Sequence, residues 1–144
     1  MIMRMILVQL ILLISTQLNA QNHRLTVNVA ELKNTKGQVI IDVFNNDDGY
    51  PMKTENAILR RKLPIPEDGK VVFHIDSLEN GEYAFALIHD QNNNDKLDVN
   101  FIGIPKEGAG ASNNAKGFMS PPKYRKAKFD FNKSTEVTIN MLYF

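Results

Sequence analysis

The chain has 144 residues, 17 basic and 16 acidic side chains, and neither cysteine nor tryptophan. A net charge of +1 leaves no basic excess to neutralise phosphates, so no nucleic-acid partner is expected. Without cysteine there are no disulfides, and the length suits one domain with its own core.

The first twenty residues read as a secretory signal. Arg4 supplies the positive start, Ile6 to Ile14 is apolar except for Gln9, and Leu18-Asn19-Ala20 offers a small residue at the cut. The apolar run is shorter than the roughly 20 residues of a spanning helix. The expectation is cleavage after Ala20, leaving residues 21–144 with no stable membrane anchor and no cysteine to carry a lipid. Exported proteins poor in cysteine suit the periplasm or exterior of a Gram-negative cell, where the protein is placed.

The remainder alternates apolar and polar residues repeatedly, the period of half-buried strands. Leu25, Val27 and Val29 share one face, and so do Val39, Ile41 and Val43 in the next run. The turn Asn34 to Gly37 between them predicts a hairpin. Asn45 to Pro51 is a polar loop, and AILRRKLPI is a strand or a short helical turn. Its prolines, Pro64 and Pro66, suit an edge. Val71, Phe73 and Ile75 mark another strand. EYAFALIHD is apolar on both faces, as in a central, doubly covered strand. Ahead of it, Leu78, Gly81 and Tyr83 resemble the corner of transthyretin-like sandwiches, where the tyrosine hydroxyl ties the turn. Two strands close the chain, AKFDF and EVTINMLYF, and Asn132 to Ser134 predicts a hairpin between them. No helical periodicity follows residue 20. The fold class is therefore all-β, a single sandwich of about seven strands, immunoglobulin-like or transthyretin-like, preceded by a signal-peptide helix.

Between residues 90 and 122 the alternation stops, and loops of that length are often functional. Its apolar residues (Leu97, Val99, Phe101, Ile102, Ile104, Phe118, Met119) argue for an excursion packed down on the sandwich. The start, DQNNNDKLD, places Asp90, Asn92, Asn94 and Asp98 at positions 1, 3, 5 and 9. Lys96 falls at 7, where a backbone carbonyl serves, and Leu97 at 8 can anchor the loop. This resembles the first nine positions of EF-hand and dockerin calcium loops, whose alternate oxygens surround a hard cation. Position 6 is Asp95 where glycine is usual, and position 12 is Phe101, which cannot close the site. A closing ligand would come from Asn100, Glu107 or Asp47/Asp48, and affinity would be weak, about 10⁻⁴ to 10⁻³ M. The alternative is an Asn-rich turn held by side-chain to backbone bonds.

Residues His89-Asp90, Asn92, Asn94, Lys96-Leu97-Asp98, Gly103-Ile104-Pro105, Glu107-Gly108, Ser112-Asn113-Asn114 and Pro121-Pro122 form a longer pattern. It resembles the signature of a bacterial exported family known as domain of unknown function 2141. The resemblance implies a signal peptide followed by a β-sandwich, and no activity.

Three functions compete. A binding or structural module would present residues 99–122 to a protein or glycan, with Phe101, Phe118, Met119 and Tyr124 as contacts. A carbohydrate-binding module lacks an evident stacking platform, since there is no tryptophan and the tyrosines are scattered. A hydrolase would have to use His89, Asp90, Lys106, Glu107 or Ser112. Adjacent His89 and Asp90 point to opposite faces of a strand, and no nucleophile elbow, zinc-binding histidine pair or phosphate loop is present. The binding module is the expectation.

Overall fold

The structure, a computed structural model, describes residues 22–144, so the signal-peptide assignment lies outside the described residues. The alternating runs form β1 (Leu25–Ala30), β2 (Gln38–Phe44), β3 (Leu59–Pro64), β4 (Val71–Ile75) and β5 (Gly81–Asp90). Then come β6 (Gly108–Ala111), a one-turn helix α1 (Tyr124–Ala127), β7 (Phe129–Phe131) and β8 (Thr135–Asn140). That is eight strands among the described residues, against about seven expected.

The strands make two sheets. One has the order β4-β1-β8, and the other the order β3-β2-β5-β6, with β7 pairing the start of β5. Leu25, Val27, Val29, Phe73 and Ile75 from the first sheet meet Val39, Ile41, Val43, Phe85 and Leu87 from the second in one core cluster. Burying each such side chain contributes about 1.5–3 kcal/mol, and Phe85→Ala would cost about 3–5 kcal/mol. β5 is buried without a break from Tyr83 to Asp90, as its two apolar faces require. β3 lies at the sheet edge, where Pro64 leaves no central ladder bond missing. The Tyr83 hydroxyl donates to the Glu79 carbonyl at 2.9 Å, making the expected corner tie. Gly81 lies under that ring, where a Cβ would sit 3.3 Å from the hydroxyl oxygen.

Both predicted hairpins are corrected. β1 pairs β4 antiparallel and β8 parallel, while β2 pairs β3 and β5. The Asn34–Gly37 turn therefore carries the chain from one sheet to the other. Gly37, at φ +75, packs so closely that a Cβ there would meet the Asp90 carbonyl oxygen at 2.0 Å. Likewise β7 pairs β5 and β8 pairs β1, so Asn132 to Ser134 also crosses between sheets. Ala127, expected in the seventh strand, ends α1 instead.

The unpatterned stretch contains β6, whose sequence is Gly-Ala-Gly-Ala. Its glycines face the core because large side chains occupy that space. A Cβ at Gly108 would lie 2.6 Å from the Tyr143 ring, and one at Gly110 would lie 3.0 Å from Ile139. Ala109 exchanges backbone hydrogen bonds with Leu142 at 3.0 and 2.8 Å, which joins the two sheets along this side.

Candidate functional site

The Asp90–Asp98 loop is folded around its own carboxylates. Asp90, at the end of β5, is fully buried and accepts the backbone N–H groups of Asn94 at 3.1 Å and Asp95 at 2.9 Å. Gln38 Nε2 of β2 donates to it at 2.8 Å and to Asp95 at 2.9 Å. Asp95 takes φ +68, the left-handed conformation that position 6 demands, and Asn93 takes φ +58. Lys62 lies 2.8 Å from the Asp95 carboxylate, and the Arg60 guanidinium donates to its carbonyl. The hydrogen bonds from Lys62 and Gln38 hold the Asp95 carboxyl below the usual range. Gln38, Arg60 and Lys62 carry no local signal in the sequence. Only the register across β2, β3 and β5 brings them here.

Asn92, Asn94 and Asp98 do converge. Asn92 Nδ2 donates to Asp98 at 2.6 Å, and Asn94 Nδ2 donates to both Asp98 oxygens at 2.9 and 3.0 Å. Hydrogen bonds from Asn94 and Asn92, then the charges of Lys96 and Lys106, hold the Asp98 carboxyl below its ordinary value. The Lys96 N–H donates to Asn94 Oδ1 at 3.2 Å, and its side chain is exposed. Among the described residues, no three His, Cys, Asp or Glu side chains form a metal-holding group. A cation at this loop would thus draw charge from Asp90 and Asp98 and neutral oxygens from Asn92, Asn94 and the Lys96 carbonyl.

The possible closing ligands are differently placed. Glu107 comes to the loop base, where its buried carboxylate accepts Gln91 N–H at 2.8 Å and Asp98 N–H at 3.0 Å. Asn100 Oδ1 accepts the N–H groups of Ile102 and Ile104 at 3.0 and 2.9 Å and so shapes the next turn. Asp47 and Asp48 follow Phe44, which pairs with Ala84, whereas Asp90 pairs with Gln38. They therefore lie at the opposite end of β2, roughly 20 Å away at strand rise, and cannot close the loop.

Leu97 is half-buried, but the other apolar residues of this segment are exposed, contrary to expectation. Asn100 and Ile104 close a finger whose tip carries Phe101, 99% exposed, beside exposed Ile102. Further on, Phe118 is 90% and Met119 95% exposed. The segment is held by polar groups at its base instead. Ser112 Oγ accepts Phe85 N–H at 3.0 Å, and Asn113 Nδ2 donates to the Lys128 carbonyl at 2.9 Å. Asn114 donates to the Thr138 carbonyl at 3.1 Å and accepts Asn140 N–H at 2.9 Å, so one amide side chain occupies the free edge of β8 as a strand would. Tyr124, expected as a contact, is half-buried with its ring edge-on to Tyr50 at 5.7 Å.

The family model described as "Uncharacterized protein conserved in bacteria (DUF2141)" matches residues 27–140. The chain belongs to this family. No curated protein and no solved structure matches it significantly. Several residues that carried the resemblance are the ties just described: Asp90, Glu107, Ser112, Asn113 and Asn114 all bond backbone groups. His89 is another, fully buried, with Nδ1 2.6 Å from the Tyr143 hydroxyl and Nε2 2.8 Å from the Lys36 carbonyl. Ser112 sits beside Phe85, four residues and about 13 Å along β5 from His89. Of the residues a hydrolase would use, His89, Asp90 and Ser112 are therefore not brought together.

One buried carboxylate outside this network was not singled out by the sequence. Asp42, on the face of β2 away from the core cluster, has Arg60 Nη1 3.4 Å from Oδ2 and no hydrogen-bond partner for Oδ1. Burial pushes its carboxyl up to about 6 against the opposing charge of Arg60.

Proposed function

We propose that this protein is an exported, non-catalytic sandwich of immunoglobulin-like or transthyretin-like type that binds a partner through the apolar tips of residues 99–122. The observation that carries the reading is the near-complete exposure of Phe101, Phe118 and Met119 above bases locked by buried polar side chains. The adjacent exposed pairs Phe101-Ile102 and Phe118-Met119 serve as the protein's apolar contact patches. The Tyr83 tie supports the sandwich type. The Asp90–Asp98 loop takes a calcium ion in this reading, with the Asn92 and Asn94 amides turned over to present oxygen beside Asp98.

A photo-crosslinking residue at position 101 or 118, introduced in cells, tests the contact. Adducts should concentrate there relative to Lys70, which is also exposed. Equal yields at all three positions would remove the basis of the proposal. Calcium is tested by calorimetry and thermal melting. A tenfold excess over Kd should add about 1.4 kcal/mol of stability, and no heat with no shift at millimolar calcium would reject the ion. Mass spectrometry of the mature protein should find an N-terminus at Gln21, and a chain still starting at Met1 would reject cleavage.

A further inference from the structure

We propose that the second tip docks on an anionic lipid surface, with Phe118 and Met119 entering the headgroup layer and Lys116, Lys123, Arg125 and Lys126 meeting the phosphates. This rests on the reading of residues 99–122 as a contact surface and names the partner of its second half.

The turn from Gly117 to Ser120 is tight: a Cβ at Gly117 would meet the Ser120 carbonyl oxygen at 1.8 Å. Met119 adopts φ +51, a conformation that favours glycine, yet a long apolar side chain stands there. Pro121 and Pro122 stiffen the exit. Two adjacent apolar side chains thus project from a constrained turn.

Along the chain its neighbours are basic, while Glu82 and Asp47 act on Tyr124 from other elements. From Gly108 to Phe129 there are five basic residues and no acidic one, in a chain whose total is +1. Lys128 is paired with Glu82 at 2.9 Å. The other four are exposed, and none enters an ion pair among the described residues.

That combination selects the occupant. A protein partner would need a preformed pocket for a two-residue protrusion and a much larger buried area, above about 1,000 Å². A fluid bilayer accepts isolated apolar side chains without a pocket, and long basic side chains reach its phosphates from above. Apolar insertion and attraction to anionic lipid add to one another, so the two together bind more tightly than either alone. No helix among the described residues is long and apolar enough to cross a membrane.

Co-sedimentation of the purified protein with vesicles tests this. Phosphatidylcholine vesicles containing about a third phosphatidylglycerol should bind it at about 0.1 M salt, and phosphatidylcholine alone should not. The double variant Phe118→Ser/Met119→Ser should weaken binding at least about tenfold, Lys123→Gln/Lys126→Gln should weaken it and reduce its salt dependence, and Phe101→Ser should leave it unchanged. Unaltered melting temperatures would show that these exposed positions act on binding and not on folding. Absence of binding to anionic vesicles overturns the proposal. So does binding indifferent to Phe118 and Met119, which would be adsorption of charge, or equal loss in Phe101→Ser. Equally tight, Phe118-dependent binding to polyglutamate would assign the surface to an acidic protein. Crosslinks to protein at 101 and 118 without vesicle binding would keep the contact reading and reject the lipid.

Discussion

The stretch between β5 and α1 contains two loops built on one plan with different materials. From Asp90 to Glu107 the base is anionic: two buried carboxylates accept four backbone N–H groups. From Ser112 onward the base is neutral, a hydroxyl and two amides paired with strand and helix backbone. Charge-assisted bonds in a buried site are worth about twice neutral ones, so the first loop should be the more rigid. Outward, the order reverses. Along the chain, the first tip is flanked by Lys96, Asp98 and Lys106, of mixed sign, and the second by basic residues. The comparison teaches that the interior of each loop sets how firmly its tip is held, while the flanking charge sets what the tip can meet.

The strongest way to break this division is Asp90→Ala. It leaves the Asp95 N–H unpartnered and takes one acceptor each from the Asn94 N–H and Gln38, and should cost about 3 kcal/mol in urea unfolding. Hydrogen exchange should quicken at Asn94 and Asp95 and stay unchanged from Asn113 to Lys128. Uniform quickening would mean that the loops are one unit.

Asp42 sharpens the comparison, because its partner Arg60 also bonds the Asp95 carbonyl and the second loop has no such brace. With its carboxyl raised from 3.8 to about 6, the folded state holds this proton more tightly than the unfolded chain. Its contribution to stability is therefore full below about pH 4 and declines as pH rises through about 6. Asp42→Asn should flatten that decline and add about 2 kcal/mol at neutral pH. An unchanged profile across this range would show that Asp42 is ionised throughout.

Asn114→Ala should cost less, about 1 kcal/mol, because water can reach the Asn140 N–H and Thr138 carbonyl it leaves behind. Exchange should rise at Asn140 and not at Asp95. The smallest effect is expected at the first tip: Phe101→Ala should change stability by no more than about 0.5 kcal/mol. A loss above about 1.5 kcal/mol would place the ring against the core and remove the contrast between base and tip.

Strand positions were legible because alternation reports burial directly, as in Leu25-Thr26-Val27 and Val71-Val72-Phe73. Strand partners were not. A short polar link between two strands can return within a sheet or cross to the facing one, and Asn34 to Gly37 and Asn132 to Ser134 both cross. β6 shows no alternation because its glycines answer to Tyr143 and Ile139, which lie about thirty residues away in sequence. The spacing of Asp90, Asn92, Asn94 and Asp98 did locate a loop that folds on its own side chains, and the left-handed turn fell at Asp95 as the pattern required. The braces from Gln38, Arg60 and Lys62 depend on register and were invisible. Phe101 and Phe118 were misplaced for a simpler reason: apolar identity argues for burial, and nothing local reports a polar base that holds such a ring in solvent.

The parallel pairing of β1 with β8 has a consequence for how the chain is made. Arg24 N–H bonds Ser134 Oγ, and Thr135 N–H bonds the Arg24 carbonyl, so the ladder starts at the head of one strand and reaches into the last residues of the other. The central strand of the smaller sheet is made long before one of its neighbours, since Leu25 pairs with Thr135. A chain emerging residue by residue holds Leu25 to Ala30 half-partnered until Thr135 to Asn140 arrive, so closure of this sheet waits for all the strands between them.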